Sequence, residues 1–209
     1  MAALWHVRAA LPEQLLAFTL FQFIGAVTPG PNNMIATVSG ATFGFRRTLP
    51  QMLGVTVGYP LMLAAVGLGL GEVFRALPWL HGVLRFVGAA FLLYLAWKIA
   101  RANAPEAADT AKPVGFFEAL VFQWLNPKAW SIVLGAIAAF TTPGLAARDF
   151  LFETAIYTCA AAAVTFPSMV LWCLFGVAIS AMLKDERKRR LVNYSLAGIL
   201  VLSIVFLFL

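Results

Sequence analysis

Charged residues are scarce in this chain, and the scarcity decides its class. Asp, Glu, Lys and Arg make up 11% of the 209 residues, whereas hydrophobic residues make up 62% and the mean hydropathy is +0.87. A soluble domain of this size carries roughly a quarter charged residues. The composition therefore excludes an ordinary soluble domain and predicts an all-α integral membrane protein.

Acidic side chains are absent from two long apolar stretches. No Asp or Glu lies between Glu13 and Glu72, and none lies between Glu118 and Asp149. Because divalent cations prefer carboxylate oxygens as ligands, these stretches disfavour a metal exporter, and no metal or cofactor is expected. The formal charge of +6 is attributed to membrane topology, so no nucleic-acid partner is expected.

Cysteine and histidine are also rare, with two of each. Cys159 and Cys173 lie in one apolar segment, about 21 Å apart along a helix, which is too far for a disulfide between them. We expect both to be inert packing residues, since a redox shuttle would need cysteines in facing helices. His6 and His81 lie at the edges of apolar runs and no HExxH motif occurs, so a membrane enzyme is disfavoured.

Six apolar runs are long enough to cross a bilayer as helices, which takes about 20 residues. They comprise residues 15–43, 52–70, 80–99, 116–140, 150–179 and 191–209. The N-terminal run lacks a small-residue cleavage site, so we interpret it as a retained span and not as a signal peptide. The chain is expected to form one transmembrane domain, with a repeat at about 13–101, a linker at 102–115 and a second repeat at about 116–209.

Three helices in each half force the halves to enter the membrane in opposite senses, which is the arrangement of an inverted repeat. The halves also share interruptions in the same order: Pro29 and Pro31 against Pro127, Tyr59-Pro60-Leu61-Met62 against Phe166-Pro167-Ser168-Met169, and Gly88 against Gly198. The predicted fold is therefore six transmembrane helices arranged as two inverted three-helix repeats, with the first and fourth helices broken.

Lysine and arginine are distributed unequally between the two sets of loops. Four of them lie on one side, and ten lie on the other: Arg46, Arg47, Lys98, Arg101, Lys112, Lys184, Arg187, Lys188, Arg189 and Arg190. Since basic loops stay in the cytoplasm, we expect both termini outside the bacterial inner membrane and the cluster at 184–190 inside. That cluster could also contact membrane lipids of negative charge, although the topology signal alone explains it.

The first interruption is Thr28-Pro29-Gly30-Pro31-Asn32-Asn33. Two prolines that flank a glycine cannot continue an α-helix, because proline lacks the N–H and its ring clashes with the preceding turn. A bilayer tolerates broken backbone only where protein or a wet cavity satisfies the freed polar groups. The break therefore indicates a functional position.

The second interruption, Asn126-Pro127-Lys128, is typical of a helix start, since Asn is a preferred N-cap and Pro is preferred at the first helical position. In inverted halves, the two helix N-termini point toward the membrane centre from opposite faces. Each carries unpaired N–H groups and about half a positive charge. Such ends bind anions, so we expect them to bind a substrate carboxylate.

Lys128 supports this interpretation, because an ammonium near the membrane centre is costly unless it faces water or a partner. The expected substrate-binding residues are Thr28, Pro29, Gly30, Pro31, Asn32, Asn33, Asn126, Pro127, Lys128, Gln22 and Gln123, with Thr37 and Ser131 as further lining residues. The alternative is that these groups only satisfy one another and the freed backbone.

Two acidic and three aromatic residues allow both a functional and a structural interpretation. Glu118 and Glu153 could relay protons, but acidic residues near helix starts are more often dipole-compensating caps. Tyr59, Trp124 and Trp130 could contact a ligand, but aromatic residues in spans more often pack or anchor the helix.

Four motifs occur in order along the chain: TPGPNN at 28–33, SGATFGFR at 39–46, GAAFLLYLAWK at 88–98 and NPK at 126–128. In these the chain resembles the LysE/RhtB family of amino-acid exporters. The second motif looks most like the branch that exports small neutral amino acids such as cysteine, O-acetylserine, threonine or homoserine. The resemblance covers nearly the whole chain and implies an inner-membrane secondary transporter that moves amino acids outward, driven by the proton-motive force.

Functions from different classes stay open at this point. One is a proton-coupled exporter of small neutral amino acids; Lys128 disfavours a dibasic substrate, because like charges repel strongly at low dielectric. Another is a non-transporting membrane scaffold or assembly subunit, and a third is an exporter of another small metabolite or cation. A homodimer also stays open, since the sequence contains no evidence for an interface.

Overall fold

The computed structural model describes residues 2–71, 76–77, 79–101, 112–142 and 145–182, together with positions 191, 194–195, 198 and 201–202. The described part is helical apart from short connections and contains no strand, which confirms the predicted all-α class. The helices are α1 (Ala2–Val27), α2 (Pro31–Ala65), a π-helical turn (Val66–Leu70), α3 (Trp79–Arg101), α4 (Phe116–Leu125), α5 (Pro127–Phe140) and α6 (Ala147–Met182).

The predicted spans correspond closely to these helices over the described residues. The first and fourth spans are interrupted where the prolines predicted, between α1 and α2 and between α4 and α5. Most of the linker at 102–115 and most of the sixth span lie outside the described residues. The inverted-repeat arrangement, the number of crossings and the side of each terminus therefore stay predictions.

Helix α2 reverses its direction at Gly44. This residue has φ 77° and ψ 171°, a conformation that glycine adopts without a steric penalty. Asn33 and Tyr59, which lie on opposite sides of Gly44, line one cavity, although a straight helix would hold them about 39 Å apart. The two parts of α2, named α2a (residues 31–43) and α2b (residues 45–65), therefore fold back on each other.

Glycines allow α2a to approach α6 closely. A Cβ atom added to Gly40 would overlap the backbone oxygen of Cys173, and one added to Gly176 would overlap the backbone oxygen of Thr37. A similar contact joins α2b to α4, because a Cβ at Gly54 would overlap the backbone oxygen of Phe116. Small residues at helix crossings are common in membranes, where tight packing stabilises helix association.

Two apolar clusters form the core. The first joins α2, α3, α4 and α6, and the second joins α1, α2b, α5 and α6. In the second cluster, the Phe18 ring stacks on Tyr157 with centroids 4.4 Å apart and meets Phe140 edge-on at 5.6 Å. Val55 belongs to the first cluster and Ala129 to the second, and both line the cavity described below. The cavity therefore lies where the two clusters meet.

The outer surface carries large apolar side chains. Trp79, Phe86 and Phe117 are each more than 60% exposed, at 63%, 69% and 77%. The stretches Pro31–Leu70 and Ala147–Ala181 are long and apolar enough to cross a bilayer by length and composition. This pattern is that of helices whose outer faces contact lipid.

The two cysteines differ in environment. Cys173 is fully buried in the first cluster, which confirms its predicted packing role, but Cys159 is exposed, so the same prediction was wrong there. The buried side of α6 changes along its length, because its first half faces the second cluster through Tyr157 and Ala161, whereas its later half faces α2a. Cys159 lies on the open side of the first half.

Candidate functional site at the two helix breaks

The first break spans Thr28 to Gly30. Helix α1 ends with a hydrogen bond from the Thr28 N–H to the Ile24 carbonyl, at 3.1 Å. Gly30 is extended, with φ −173° and ψ 176°, and acts as the N-cap of α2. Pro31 occupies the first helical position, where its missing N–H removes no hydrogen bond. The predicted break is confirmed, and the new helix starts at Pro31.

The second break is narrower and consists of Asn126 alone. Its backbone is extended, with φ −89° and ψ 108°, and Pro127 follows as the first residue of α5. The Asn126 side-chain oxygen accepts a hydrogen bond from the Lys128 N–H at 3.1 Å. The N-cap predicted for Asn126 is confirmed. Its side-chain oxygen satisfies one of the N–H groups at the start of α5, that of Lys128.

Lys128 joins the two breaks. Its Nζ donates hydrogen bonds to the carbonyl oxygens of Thr28 and Pro29, the latter at 3.3 Å. These carbonyls lie at the C-terminal end of α1, where the helix dipole places partial negative charge, so an ammonium is stabilised there. Gly30 leaves room for this contact, since an added Cβ would lie 2.7 Å from Lys128 Cδ and 3.0 Å from its Nζ.

Side-chain amides satisfy much of the remaining polar surface. Asn32 Nδ2 donates to Gln123 Oε1 at 2.8 Å, and Gln123 Nε2 donates back to Asn32 Oδ1 at 3.3 Å. Asn33 Nδ2 donates to the carbonyls of Ala26 and Thr28, both at 2.8 Å. In this state, these three side chains therefore form hydrogen bonds with one another and with backbone carbonyls, as the second of the two predicted interpretations has it.

Backbone N–H groups converge between the breaks. In α2 the first helical hydrogen bond runs from Met34 N to Gly30 O at 2.9 Å, so the N–H groups of Asn32 and Asn33 precede the helical ladder. In α5 the first runs from Trp130 N to Asn126 O at 3.2 Å, and the N–H of Ala129 precedes it. These two helix ends and the Lys128 ammonium make the surroundings electropositive.

A cavity of about 50 Å³ lies at this place. Its walls come from the helical segments α1, α2a, α2b, α5 and α6 and from the two breaks. They comprise Gln22, Gly25, Ala26, Gly30, Pro31, Asn32, Asn33, Val55, Tyr59, Asn126, Lys128, Ala129, Ile132, Thr165 and Met169. Asn33 is 4% exposed and Asn32 is half-buried, so neither faces the lipid. The breaks thus surround an internal space with polar groups on one part of its wall.

The cavity brings together many of the predicted site residues. Those that line it are Gln22, Gly30, Pro31, Asn32, Asn33, Asn126 and Lys128, whereas Thr28, Pro29, Pro127 and Gln123 do not. Thr28 and Pro29 still contribute through the carbonyls that hold Lys128, and Gln123 contributes through its pair with Asn32. Substrate binding by these residues remains a prediction.

Gln22 lines the cavity with a buried side-chain donor that is unused. It is 3% exposed, and its Oε1 accepts a hydrogen bond from the Tyr59 hydroxyl at 2.6 Å. Its Nε2 is buried and has no hydrogen-bond partner in the part of the chain that the structure describes. A buried amide donor without an acceptor is rare in folded proteins, so this atom is a candidate ligand contact.

Comparison with known proteins identifies the family of this chain. Residues 23–209 match the model of the LysE type translocators. The chain belongs to the LysE type translocator family. The family consists of transporters and not of enzymes, so this translocator is a membrane transport protein. No solved structure matches the chain.

Several relatives of this translocator are named cysteine/O-acetylserine efflux protein. The one from Salmonella typhimurium strain LT2 is 32% identical over 200 residues, which cover 94% of this chain and 98% of the relative. The one from Escherichia coli K12 is 30% identical over 198 residues, with the same two coverages. These matches confirm the resemblance to amino-acid exporters.

Sequence reasoning missed part of the cavity wall of the translocator. Thr165 and Met169 were not singled out as ligand contacts, yet both line the cavity. Tyr59, for which ligand contact and packing were both open, packs in the second cluster and also lines the cavity. A signal was present, because Pro60 and Pro167 follow Tyr59 and Phe166 in the two halves. These prolines interrupt corresponding helices of the two halves, close in sequence to Tyr59, Thr165 and Met169.

Other residues that were candidates for lining the binding site or contacting the ligand lie away from the cavity. Ser131 is exposed and donates to the Pro127 carbonyl at 3.1 Å, and Thr37 donates to the Asn33 carbonyl at 2.9 Å. Trp130 Nε1 donates to the Trp124 carbonyl at 2.8 Å, as expected of aromatic residues that pack. Sequence alone placed Ser131 and Thr37 near the breaks but could not show which way they face.

The two acidic candidates have different roles in the local structure. Glu118 Oε2 accepts a hydrogen bond from the Gly115 N–H at 2.7 Å, which makes it an N-terminal cap of α4. Glu153 is 1% exposed, and its carboxylate accepts from the Thr142 hydroxyl at 2.8 Å and from the Thr142 N–H at 3.2 Å. It is the seventh residue of α6, beyond the first turn, so the dipole argument does not account for its burial.

Proposed function

We propose that this translocator exports small neutral amino acids or their derivatives across the bacterial inner membrane, with O-acetylserine and cysteine as the first substrates to test. The observation that carries the proposal is the cavity at which Lys128 and two helix N-termini meet. The names of the relatives support the class of substrate.

The substrate carboxylate binds at the electropositive part of the cavity. Asn32, Asn33 and Ala129 offer N–H groups that precede the helical ladders, and all three residues line the cavity together with Lys128. Backbone donors at a helix N-terminus bind carboxylates because the dipole favours negative charge there. A dibasic substrate is disfavoured, because its second ammonium would meet Lys128 at low dielectric.

Substrate entry requires the two breaks to separate. In this state the cavity, at about 50 Å³, is well below the roughly 300–1,000 Å³ of typical ligand pockets. In this state the Lys128 ammonium is bound to the Thr28 and Pro29 carbonyls. A carboxylate that takes over Lys128 releases those carbonyls, so binding and separation of the breaks occur together.

Transport then follows from rocking of the two halves around the cavity, as in other transporters with inverted repeats. We further propose that protons drive the export, with Glu153 as the carrier, because it is a buried carboxylate whose burial the helix dipole does not explain. Glu118 is a weaker candidate, since it already caps α4. Both termini lie outside in this proposal, and a homodimer stays open as its assembly.

Efflux from proteoliposomes tests the proposal. Purified protein is reconstituted with labelled O-acetylserine, cysteine, threonine or homoserine inside, and a proton gradient is imposed. Efflux above protein-free vesicles is expected for at least one of these substrates. No efflux of any of them, with protein shown to be folded and inserted, would contradict an amino-acid exporter.

A membrane scaffold is the second candidate, supported by the extent to which the polar groups satisfy one another in this state. Lys128→Ala separates the two candidates, with Lys112→Ala as the control because Lys112 is exposed outside the helices. A transporter variant folds and loses flux, whereas a scaffold loses stability or assembly without a change in any flux.

A further inference from the structure

The polar wall of the cavity extends beyond the breaks. Gln22 lies six residues before Thr28 on α1, which is about 9 Å along the helix. Both Gln22 and Lys128 line the cavity, so its wall carries donors at two separated places. Once the breaks have separated, a substrate whose carboxylate lies at Lys128 therefore directs its side chain toward Gln22.

The chemistry at Gln22 is specified by its neighbour. The Tyr59 hydroxyl donates to Gln22 Oε1 at 2.6 Å, which leaves the NH₂ group as the free end. That NH₂ group is buried and has no acceptor among the described residues. An NH₂ group only donates, so the matching ligand group is a hydrogen-bond acceptor.

Much of the remaining wall is apolar, and the one further hydroxyl in it, that of Thr165, already donates to the Ala161 carbonyl at 2.7 Å. Val55, Ile132 and Met169 line the same cavity and offer no donor or acceptor of comparable strength. They suit methyl and methylene groups next to the acceptor. Acceptor and apolar groups side by side are the features of a short acyl ester or amide.

We propose that Gln22, hydrogen-bonded to Tyr59, is the specificity-determining residue that selects substrates with a carbonyl acceptor in the side chain, of which the acetyl ester of O-acetylserine is the representative. This inference rests on the proposed export of amino acids. The preference among amino acids then depends on the Gln22 NH₂ donor, because a site built to hydrogen-bond a substrate group discriminates against analogues that lack the group.

The first test compares two substrates on the wild-type protein. O-acetyl-L-serine and O-propyl-L-serine have the same number of heavy atoms, but the propyl ether has no carbonyl oxygen and therefore lacks the acceptor that is proposed to meet Gln22. Competition against labelled O-acetylserine efflux is expected to favour the ester by roughly three- to tenfold, the effect of one hydrogen bond. Equal competition by the two compounds, or stronger competition by the ether, overturns the inference.

The second test uses Gln22→Leu, with Gln14→Leu as a matched control because Gln14 lies on the same helix outside the cavity. Gln22→Leu is expected to lower O-acetylserine efflux roughly three- to tenfold and to leave O-propylserine efflux within about twofold. An equal loss of both fluxes, or no loss, overturns the inference.

The outcomes also separate this inference from the proposed function. If wild-type protein exports neither compound nor any other amino acid, the proposed function itself fails. If it exports both without preference, only the role of Gln22 fails. Should Gln22→Leu not accumulate as folded protein, the wild-type comparison decides alone.

Discussion

The Lys128 ammonium, at the start of α5, donates a hydrogen bond to the Thr28 carbonyl, which lies one hundred positions earlier at the end of α1. The contact connects the broken helix of the first half with that of the second half. It also gives a membrane-embedded cation an acceptor at the negative end of a helix dipole.

Gly30→Ala is expected to impair transport by displacing Lys128. The new Cβ would lie 2.7 Å from Lys128 Cδ, so the lysine side chain must leave its present position. We expect efflux of O-acetylserine to fall about tenfold with little loss of folded protein, because the far part of a lysine side chain moves easily. Gly135→Ala on α5 is the control, since its nearest neighbour, Phe21 Cζ, lies at 3.5 Å. Equal efflux by both variants would show that the position of Lys128 is unimportant.

Gly176→Ala is expected to destabilise the fold by separating α2a from α6. Its Cβ would overlap the backbone oxygen of Thr37, and backbone cannot move as a side chain does. The expected cost is about 1–3 kcal/mol, which lowers the apparent Tm in detergent by at least about 2 °C. Gly82→Ala, where nothing lies within 4 Å, should leave the Tm unchanged. A wild-type Tm for Gly176→Ala would refute the close contact.

The Asn32–Gln123 pair is expected to show energetic coupling. Each side chain donates to the other, so removing either partner leaves a half-satisfied amide next to the cavity. A double-mutant cycle with Asn32→Ala and Gln123→Ala should give a coupling of about 0.5–1.5 kcal/mol in unfolding experiments. Additive effects would mean that the two amides do not interact in the protein.

Glu153→Gln is expected to uncouple export from protons. The amide can still accept from Thr142, but it cannot bind or release a proton, so folding should be retained. We expect efflux driven by a proton gradient to fall about tenfold, while exchange of labelled for unlabelled substrate across the membrane continues. Asp149→Asn in the same helix is the control. A variant that keeps its response to the gradient would exclude Glu153 as the carrier.

Sequence predicted the local features of the site and missed the contacts between distant segments. The breaks at Pro31 and Pro127 and the cap at Asn126 follow from the chemistry of two or three adjacent residues, and all three were confirmed. Lys128 was expected to bind the substrate, yet its acceptors in this state are the Thr28 and Pro29 carbonyls. Which carbonyls come within its reach depends on how α1 packs beside α5.

The cavity wall also shows that the sequence predicts single residues but not the contacts between distant segments. Gln22 was a candidate because a polar residue in an apolar run is unusual, and Tyr59 was open between ligand contact and packing, but the hydrogen bond between the two was not predicted. Their contact requires α2 to reverse at Gly44, and then α2b to lie against α1. The reversal was expected from the spans on either side of it, whereas the register that brings position 59 to position 22 depends on glycine contacts such as Gly54 with Phe116.

The central claim is that Lys128 and the two helix N-termini bind the substrate carboxylate. Its most direct measurement compares the binding of O-acetyl-L-serine and its carboxamide to wild-type protein and to Lys128→Met, both purified in detergent. Wild-type protein should bind the carboxylate at least about tenfold more tightly, and Lys128→Met should lose most of that preference, because a hydrogen bond to a charged group contributes about 1.5–3 kcal/mol. An undiminished preference for the carboxylate in Lys128→Met would contradict the account.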